Sequence, residues 1–520
     1  MIAAAPVVPE AGILACSLAV AGAFVLRQPR ARALCVLAAL ALTPLLLIGD
    51  LWDSPQIESL RDRPAVSLAG LGGGLAATAG LAMLFLRRPH AFPVLVVAAL
   101  PFRVPVEAAG DTFNLLVPLY LVVGAGALAY AWRRLHDGAR PERDPGPVEL
   151  ALLFMVVLYV VQAAYSTDFD KALENVVFFY VPFALLLKLL STIDWTLRLL
   201  RTCLAVATGL AVVFVSIGFW EYGTRQLLLN PDVLEANLFK DYFRVNSLFF
   251  DPNIYGRFLA IVMIAVGGVL LWAGRRRDAL WAAALLALLW AGLLLTFSQS
   301  SFASLLVGLG ALGLLRWRAR PLRLAGGAVL LGIVAAALAV SGALNFDPFR
   351  EGALDRATSG RVELLESGLS MFWERPLQGF GSGSYNERFV EREQVSEERA
   401  DAASHTIPVT VAAEQGVIGL FSYALVLYAA GMVLLRGLGR LRERARPPWW
   451  LVGRAILAAA FAALIAHTLT YAAFLEDPLT WALLGIALGL AAEGPAPVTA
   501  AERAAERVRA RAGRAPVGPG

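Results

Sequence analysis

The chain has 520 residues, of which 58% are hydrophobic and only 16% charged, with a mean hydropathy of +0.66 and a formal net charge of +5. A soluble domain carries about a quarter charged residues, so an ordinary globular protein is excluded. The basic residues sit in short clusters between apolar runs, not on a continuous face with aromatics, which excludes a nucleic-acid binder.

In chain order, apolar spans are expected near 11–26, 33–49, 65–86, 91–102, 113–132, 148–164, 173–190, 201–219, 254–273, 279–297, 301–315, 324–341, 408–435, 449–467 and 477–492. About twenty apolar residues take a helix across the hydrocarbon core, and in lipid the backbone must satisfy itself, so the spans are helical. The run at 91–102 is short and carries Pro93 and Pro101, which suits a re-entrant or interfacial piece. The expected fold class is therefore all-α and polytopic, with 12–15 transmembrane helices over residues 1–492. No basic segment precedes the first run, Ala11 to Leu26, so that span is expected to stay in the mature protein. Cys16, Cys35 and Cys203 all lie in apolar segments, neither a disulfide framework nor a metal set.

Alternate loops divide the Lys and Arg unequally, 29 against 15. By the positive-inside rule the richer set is cytoplasmic. The two long outward loops are then roughly 220–253 and 342–407. Within the second, RVELLESGLSMFWE puts Val362, Leu365, Leu369 and Phe372 on one helical stripe, which Pro376 terminates. Such a helix lies on the outer membrane face. Residues 387–402 read as a charged, solvated helix. Residues 493–520 are expected to form a basic, flexible cytoplasmic tail.

Only four histidines are present. His90 and His136 sit in basic turns, His405 lies on the outward side before Pro408, and His467 ends the following span. A group titrating near neutrality suits general-base work on a hydroxyl; a single interfacial hydrogen bond is the plainer reading. Glu414 is the one carboxylate well inside an expected span, and intramembrane acids are costly. Asp251 and Asn253, in FDPN, read as a turn and helix cap. Asp168 and Asp170 form an Asp-x-Asp that lacks the His/Cys/carboxylate company of a metal site, so no metal is expected.

The stretch from His405, HTIPVTVAAEQGVIGLFSYAL, places Gly416 and Gly419 in a His-x10-Gly-x2-Gly pattern. It resembles the His-[Asn/Ser/Gln]-x9-Gly-x-x-Gly motif of bacterial O-antigen ligases and related polysaccharide polymerases, with Thr406 replacing the amide or serine. Arg361 followed by FWERPLQGFGSGSYNERF is similar to the family's outer-loop segment, and RVNSLFFDPNIYGRFLA from Arg244 to its Pro-Asn entry into a span. The three matches occur in family order, and the resemblance runs over about 244–435. One departure is LTFSQSS at 295–301, where Gln299 stands in place of the family's arginine; Arg257 is a candidate to compensate.

The resemblance implies a glycosyltransferase of the multi-pass bacterial inner membrane. It would move a glycan from a polyprenyl diphosphate onto an acceptor hydroxyl on the extracytoplasmic side, without metal or cofactor. The implied partners are the lipid-linked donor, a lipid-A core or growing glycan as acceptor, and membrane lipids. His405 would act as base. Arg244 and Arg361, with Arg257 and Gln299, would hold the diphosphate, and Glu414, Gly416, Gly419 and Asn253 would support them. Arginine's planar fork suits such an anion, although both arginines could simply snorkel or pair with loop acids. Glycines 379, 381 and 383 could cradle an anion with backbone N–H groups or make a plain turn. Two other readings stand beside this one. One is a different polyprenyl-phosphate transferase using Asp50, Asp53, Glu58 and Asp62. The other is a glycan flippase or transporter, which the near-solitary Glu414 disfavours.

Overall fold

A computed structural model describes residues 7–50, 64–108, 111–136, 143–238, 242–317, 361–393, 406–442, 447–469, 471 and 473–492. The expected span at 324–341, the loop at 51–63 with Asp53, Glu58 and Asp62, residues 394–402 of the expected charged helix, His405 and the tail 493–520 lie outside the described residues.

The described chain is an all-α polytopic bundle with one small hairpin. In order it runs α1 (Val7–Val25), α2 (Pro29–Asp50), α3 (Pro64–Arg87), α4 (Ala91–Ala99), β1 (Val104–Ala108), β2 (Asp111–Leu115), α5 (Val117–His136), α6 (Pro147–Ala163) and α7 (Phe169–Glu174). A π-helical turn, Asn175–Tyr180, joins α7 to α8 (Val181–Ser191). Then come α9 (Leu197–Thr224), α10 (Pro231–Leu238), α11 (Pro252–Leu271), α12 (Arg276–Leu294), α13 (Gln299–Arg316), α14 (Arg361–Glu374) and α15 (Tyr385–Glu393). The last three helices are α16 (Ile407–Leu435), α17 (Trp449–Thr468) and α18 (Pro478–Ala492).

Among the described residues, nine helices are long and apolar enough to cross a membrane, and three further apolar helices are shorter. Their lipid-facing sides keep apolar residues exposed, such as Leu68, Leu71 and Leu75 on α3 and Phe421, Tyr428 and Met432 on α16. α4 has nine residues, less than half the roughly twenty a crossing needs. After it the chain turns through the antiparallel hairpin, Val104 opposite Leu115 and Ala108 opposite Asp111, and re-enters as α5.

α13 packs along α11 and α17, α16 along α6, and α18 against α8. Helix entries recur at one end of the bundle: Asp251 caps α11 through the N–H groups of Asn253 and Ile254, and Ser298 caps α13 through that of Ser301. Caps of this kind satisfy donors that the first helical turn leaves open. At the opposite end lie the arginine-rich turns.

On α14, expected to lie on the outer membrane face, Ser367, Gly368 and Met371 are buried, whereas Leu369 and Trp373 are exposed and Phe372 is partly so. A membrane supplies an apolar medium outside, so an outward stripe is stable there. One expectation needs correction: Glu414 is not the one carboxylate within a span. α9 runs past the expected 219 to Thr224 and contains Glu221, which is fully buried and accepts from the N–H groups of Leu228 and Ser247.

Candidate functional site

The first group of polar residues collects where α11 and α13 begin and α12 and α17 end. Arg244 is only partly buried. Its Nε donates to the Thr296 carbonyl at 2.9 Å and its Nη2 to Asn253 Oδ1 at 3.0 Å, while its own backbone is held by both amide atoms of Asn237. Two of the five guanidinium N–H donors are thus committed, and the plane is fixed at the surface. Next to it, Ser301 Oγ reaches the Asn253 carbonyl at 3.2 Å and His467 Nε2 at 3.5 Å, and Ser300 Oγ reaches the same nitrogen at 3.2 Å. His467 is fully buried and meets the Tyr471 ring edge-on at 5.5 Å. Tyr471 in turn bonds Asp251. Gln299 occupies the first turn of α13 and is exposed.

Arg257, the expected substitute for the family arginine, is buried. Its Nη2 lies 2.8 Å from Asp477 Oδ2, so a carboxylate already offsets its charge. Its Nε and Nη1 are nevertheless buried with no hydrogen-bond partner among the described residues. Orphaned charged donors of this kind are costly, and an anion or water would relieve them. Arg103, just after α4, faces the same pair. Burial and the Arg257 charge press its pKa down, while Asp477 and Tyr471 hold it up. Three arginines and two aspartates therefore meet at this end of the bundle.

The second group is the docking of the segment after α14 onto α16. α16 is broken at Gly416, whose φ of 63° and ψ of −159° are not helical. There the Val417 N–H donates to the Pro376 carbonyl at 2.8 Å, and a Cβ on Gly416 would come 2.3 Å from the Leu377 oxygen. Opposite it, Phe380 and Gly381 donate N–H groups to the carbonyls of Ala413 and Glu414 at 3.1 and 2.8 Å. The Glu414 carboxylate accepts from the N–H of Gly383 and, at 3.2 Å, of Tyr385. The acidic group that this glycine segment cradles is the protein's own. Gln162 of α6 completes the joint by donating to the carbonyls of Gln378 and Gln415 at 3.3 and 3.2 Å. Arg375 and Arg388 stand over the Phe380 ring, at 4.6 and 5.4 Å from its centroid.

The two groups are joined by the residues between α17 and α18. Phe474 meets Tyr423 of α16 edge-on at 5.4 Å, and Asp477 holds Arg257. Burial, and more weakly the neighbouring Asp477, raise the Glu476 pKa against the pull of Lys171.

Of the residues singled out by sequence, Arg244, Asn253, Arg257 and Gln299 belong to the first group and Glu414, Gly416 and Gly419 to the second. Arg361 opens α14, and His405 lies two residues before the first residue of α16, Ile407. Asp168 caps α7 through the Lys171 N–H at 2.9 Å. Arg103, Asp477 and the Ser300–Ser301–His467 cluster were not singled out for this site. The expected arginine-poor loops did contain Arg103, yet its partners lie hundreds of residues away.

Residues 284–424 match the family model described as O-antigen ligase. The matched stretch takes in most of α12, all of α13, the outer segment and the first half of α16. Gln299, Arg361, His405, Glu414, Gly416 and Gly419 fall inside it, whereas Arg244, Asn253 and Arg257 precede it. No curated protein matches the chain. Over residues 284–424 the chain is thus similar to the O-antigen ligase family, and its polytopic helical fold accords with that likeness.

Proposed function

We propose that the protein transfers a glycan from a polyprenyl diphosphate to an acceptor hydroxyl at the extracytoplasmic face of the bacterial inner membrane. The observation that carries this reading is the anchored Arg244 beside Arg257, whose donors Nε and Nη1 are orphaned, at the end of the bundle away from the arginine-rich turns. A diphosphate needs forked, fixed donors at the membrane boundary. Arg244 offers a guanidinium oriented by two protein acceptors, Arg257 offers unmet N–H groups, and Gln299 offers an exposed amide at a helix start, where anions are favoured. Arg361 would add charge from α14.

His405 would take the proton of the acceptor hydroxyl as it attacks the anomeric carbon. The diphosphate departs with the bonding electron pair, and the arginines stabilise its charge. Glu414, Gly416 and Gly419 support this indirectly by fixing the segment that leads from α14 to α16.

The test is transfer by purified protein in detergent, supplied with lipid-linked donor and acceptor. Glycan attachment is expected without any ion gradient. Absence of transfer by folded protein, together with gradient-driven donor movement in vesicles, would replace the enzyme with a transporter.

A further inference from the structure

The two acceptors that aim Arg244 belong to different helix entries. Its Nε donates to the Thr296 carbonyl, in the turn between α12 and α13, and its Nη2 to Asn253 Oδ1, in the first turn of α11. The direction of the guanidinium therefore depends on how those two entries stand to each other. A side chain that sets their spacing acts on Arg244 without touching a substrate.

Ser301 is in that position. It is fully buried in the first turn of α13, and its Oγ donates to the backbone carbonyl of Asn253 at 3.2 Å. Gly256, three residues further along α11, permits the approach: a Cβ there would lie 2.5 Å from Ser301 Oγ and 3.2 Å from Thr296 Oγ1. The bond thus crosses between the same two elements that carry the acceptors of Arg244.

His467, fully buried at the end of α17, ties a third helix into this contact. Its Nε2 stands 3.2 Å from Ser300 Oγ and 3.5 Å from Ser301 Oγ, and Ser298 Oγ lies 2.8 Å from Ser301 Oγ. A second route runs through the His467 ring, which meets Tyr471 edge-on. Tyr471 bonds Asp251, and Asp251 accepts from the Asn253 N–H. Asn253 is in this way held at both its carbonyl and its N–H, while its side-chain oxygen accepts from Arg244. Buried hydroxyls and an imidazole cost free energy unless they are bonded, and once bonded they supply a direction that apolar contact lacks.

Given the donor-site reading of Arg244 proposed above, on which this rests, we infer that Ser301 and His467 are positioning residues for Arg244. They act through Asn253 on the guanidinium that takes the diphosphate, and neither touches the donor.

The test is a double-mutant cycle on donor affinity, measured with full-length protein in detergent, undecaprenyl diphosphate as the probe and no acceptor. Ser301→Ala should weaken binding about two- to ten-fold, the worth of one neutral hydrogen bond. In an Arg244→Ala background the same change should add nothing, because the residue it acts through is gone. Ser304→Ala removes another buried hydroxyl of α13, one that bonds back to the Ser301 carbonyl at 2.9 Å, and should leave affinity unchanged. His467→Phe should match Ser301→Ala, whereas His467→Gln, whose amide stands in for Nε2, should bind as the parent does. Should Ser301→Ala fail to fold, the two His467 variants carry the same cycle. Losses that add to that of Arg244→Ala, or parental affinity in Ser301→Ala, would overturn the inference while leaving the donor site in place. Parental affinity in Arg244→Ala would overturn the donor-site reading and this inference with it.

Discussion

Gly416→Ala is the sharpest probe of the joint between the outer segment and α16. At φ 63°, ψ −159° the backbone is in a region open essentially to glycine, and holding alanine there costs about 1–3 kcal/mol. A new Cβ would also sit 2.3 Å from the Leu377 oxygen and 2.8 Å from that of Pro376. Relief requires the turn at Pro376 and Leu377 to move off, which breaks the Val417-to-Pro376 hydrogen bond, worth about 1 kcal/mol net. The expected cost is roughly 2–4 kcal/mol, concentrated in the joint. Gly431→Ala in the same helix is the control, because nothing lies within 4 Å of its Cβ position. Limited proteolysis at residues 375–393 and the thermal midpoint should both report Gly416→Ala as loosened and Gly431→Ala as unchanged. A Gly416→Ala protein as protease-resistant as the parent would refute the assignment of a strained, backbone-to-backbone joint.

Arg244→Lys should impair donor binding nearly as much as Arg244→Ala, by about ten- to a hundred-fold, because lysine cannot reach Thr296 and Asn253 while also holding a phosphate. Equal activity of the lysine variant in a purified-donor assay would remove the clamp. His405→Ala is expected to fold normally and lose about 10²–10⁴ in rate, the worth of a general base, while His136→Ala stays near the parent; steady-state turnover decides it. Asp168 is held above the usual carboxylate range chiefly by burial, with the Glu387 and Asp170 charges adding, against the Lys171 N–H and side chain. Ionisation of Asp168 therefore opposes folding: its contribution is best at low pH and declines as pH rises through the normal carboxylate range to the raised value. Asp168→Asn keeps the cap and should gain thermal stability over the parent at neutral pH but not near pH 4; an equal gain at both would contradict the sign. In a cysteine-free background, cysteines at 228 and 375 should react with an impermeant reagent from outside and one at 440 should not; the reverse pattern would invert the topology.

The helices were legible because a membrane crossing demands long apolar runs, and the helix cap at Asp251 marks an entry in the sequence itself. On α14, expected on the outer membrane face, Leu369 is exposed and Phe372 partly so, which suits an apolar stripe beside lipid. The role of Glu414 was hidden. Its partners are backbone N–H groups of Gly383 and Tyr385, which no side-chain pattern advertises. Arg103 and Asp477, 374 positions apart, could be joined only by the fold.

The shortness of α4 bears on how deep the arginine cluster sits. Nine residues rise about 14 Å, less than half the roughly 30 Å hydrocarbon thickness. Arg103 follows this helix and faces Asp477, so a membrane-spanning bundle would hold the cluster below the plane of the nearer headgroups, in a recess. Charges placed there sense part of the transmembrane voltage, which is worth about 2.3 kcal/mol per elementary charge for a full crossing of 100 mV. If the arginine-rich turns lie on the negative, cytoplasmic side, as the positive-inside rule expects, an anion seated in the recess would be bound against the field. Its affinity would then rise when the membrane is de-energised, coupling occupancy of the site to the energetic state of the cell.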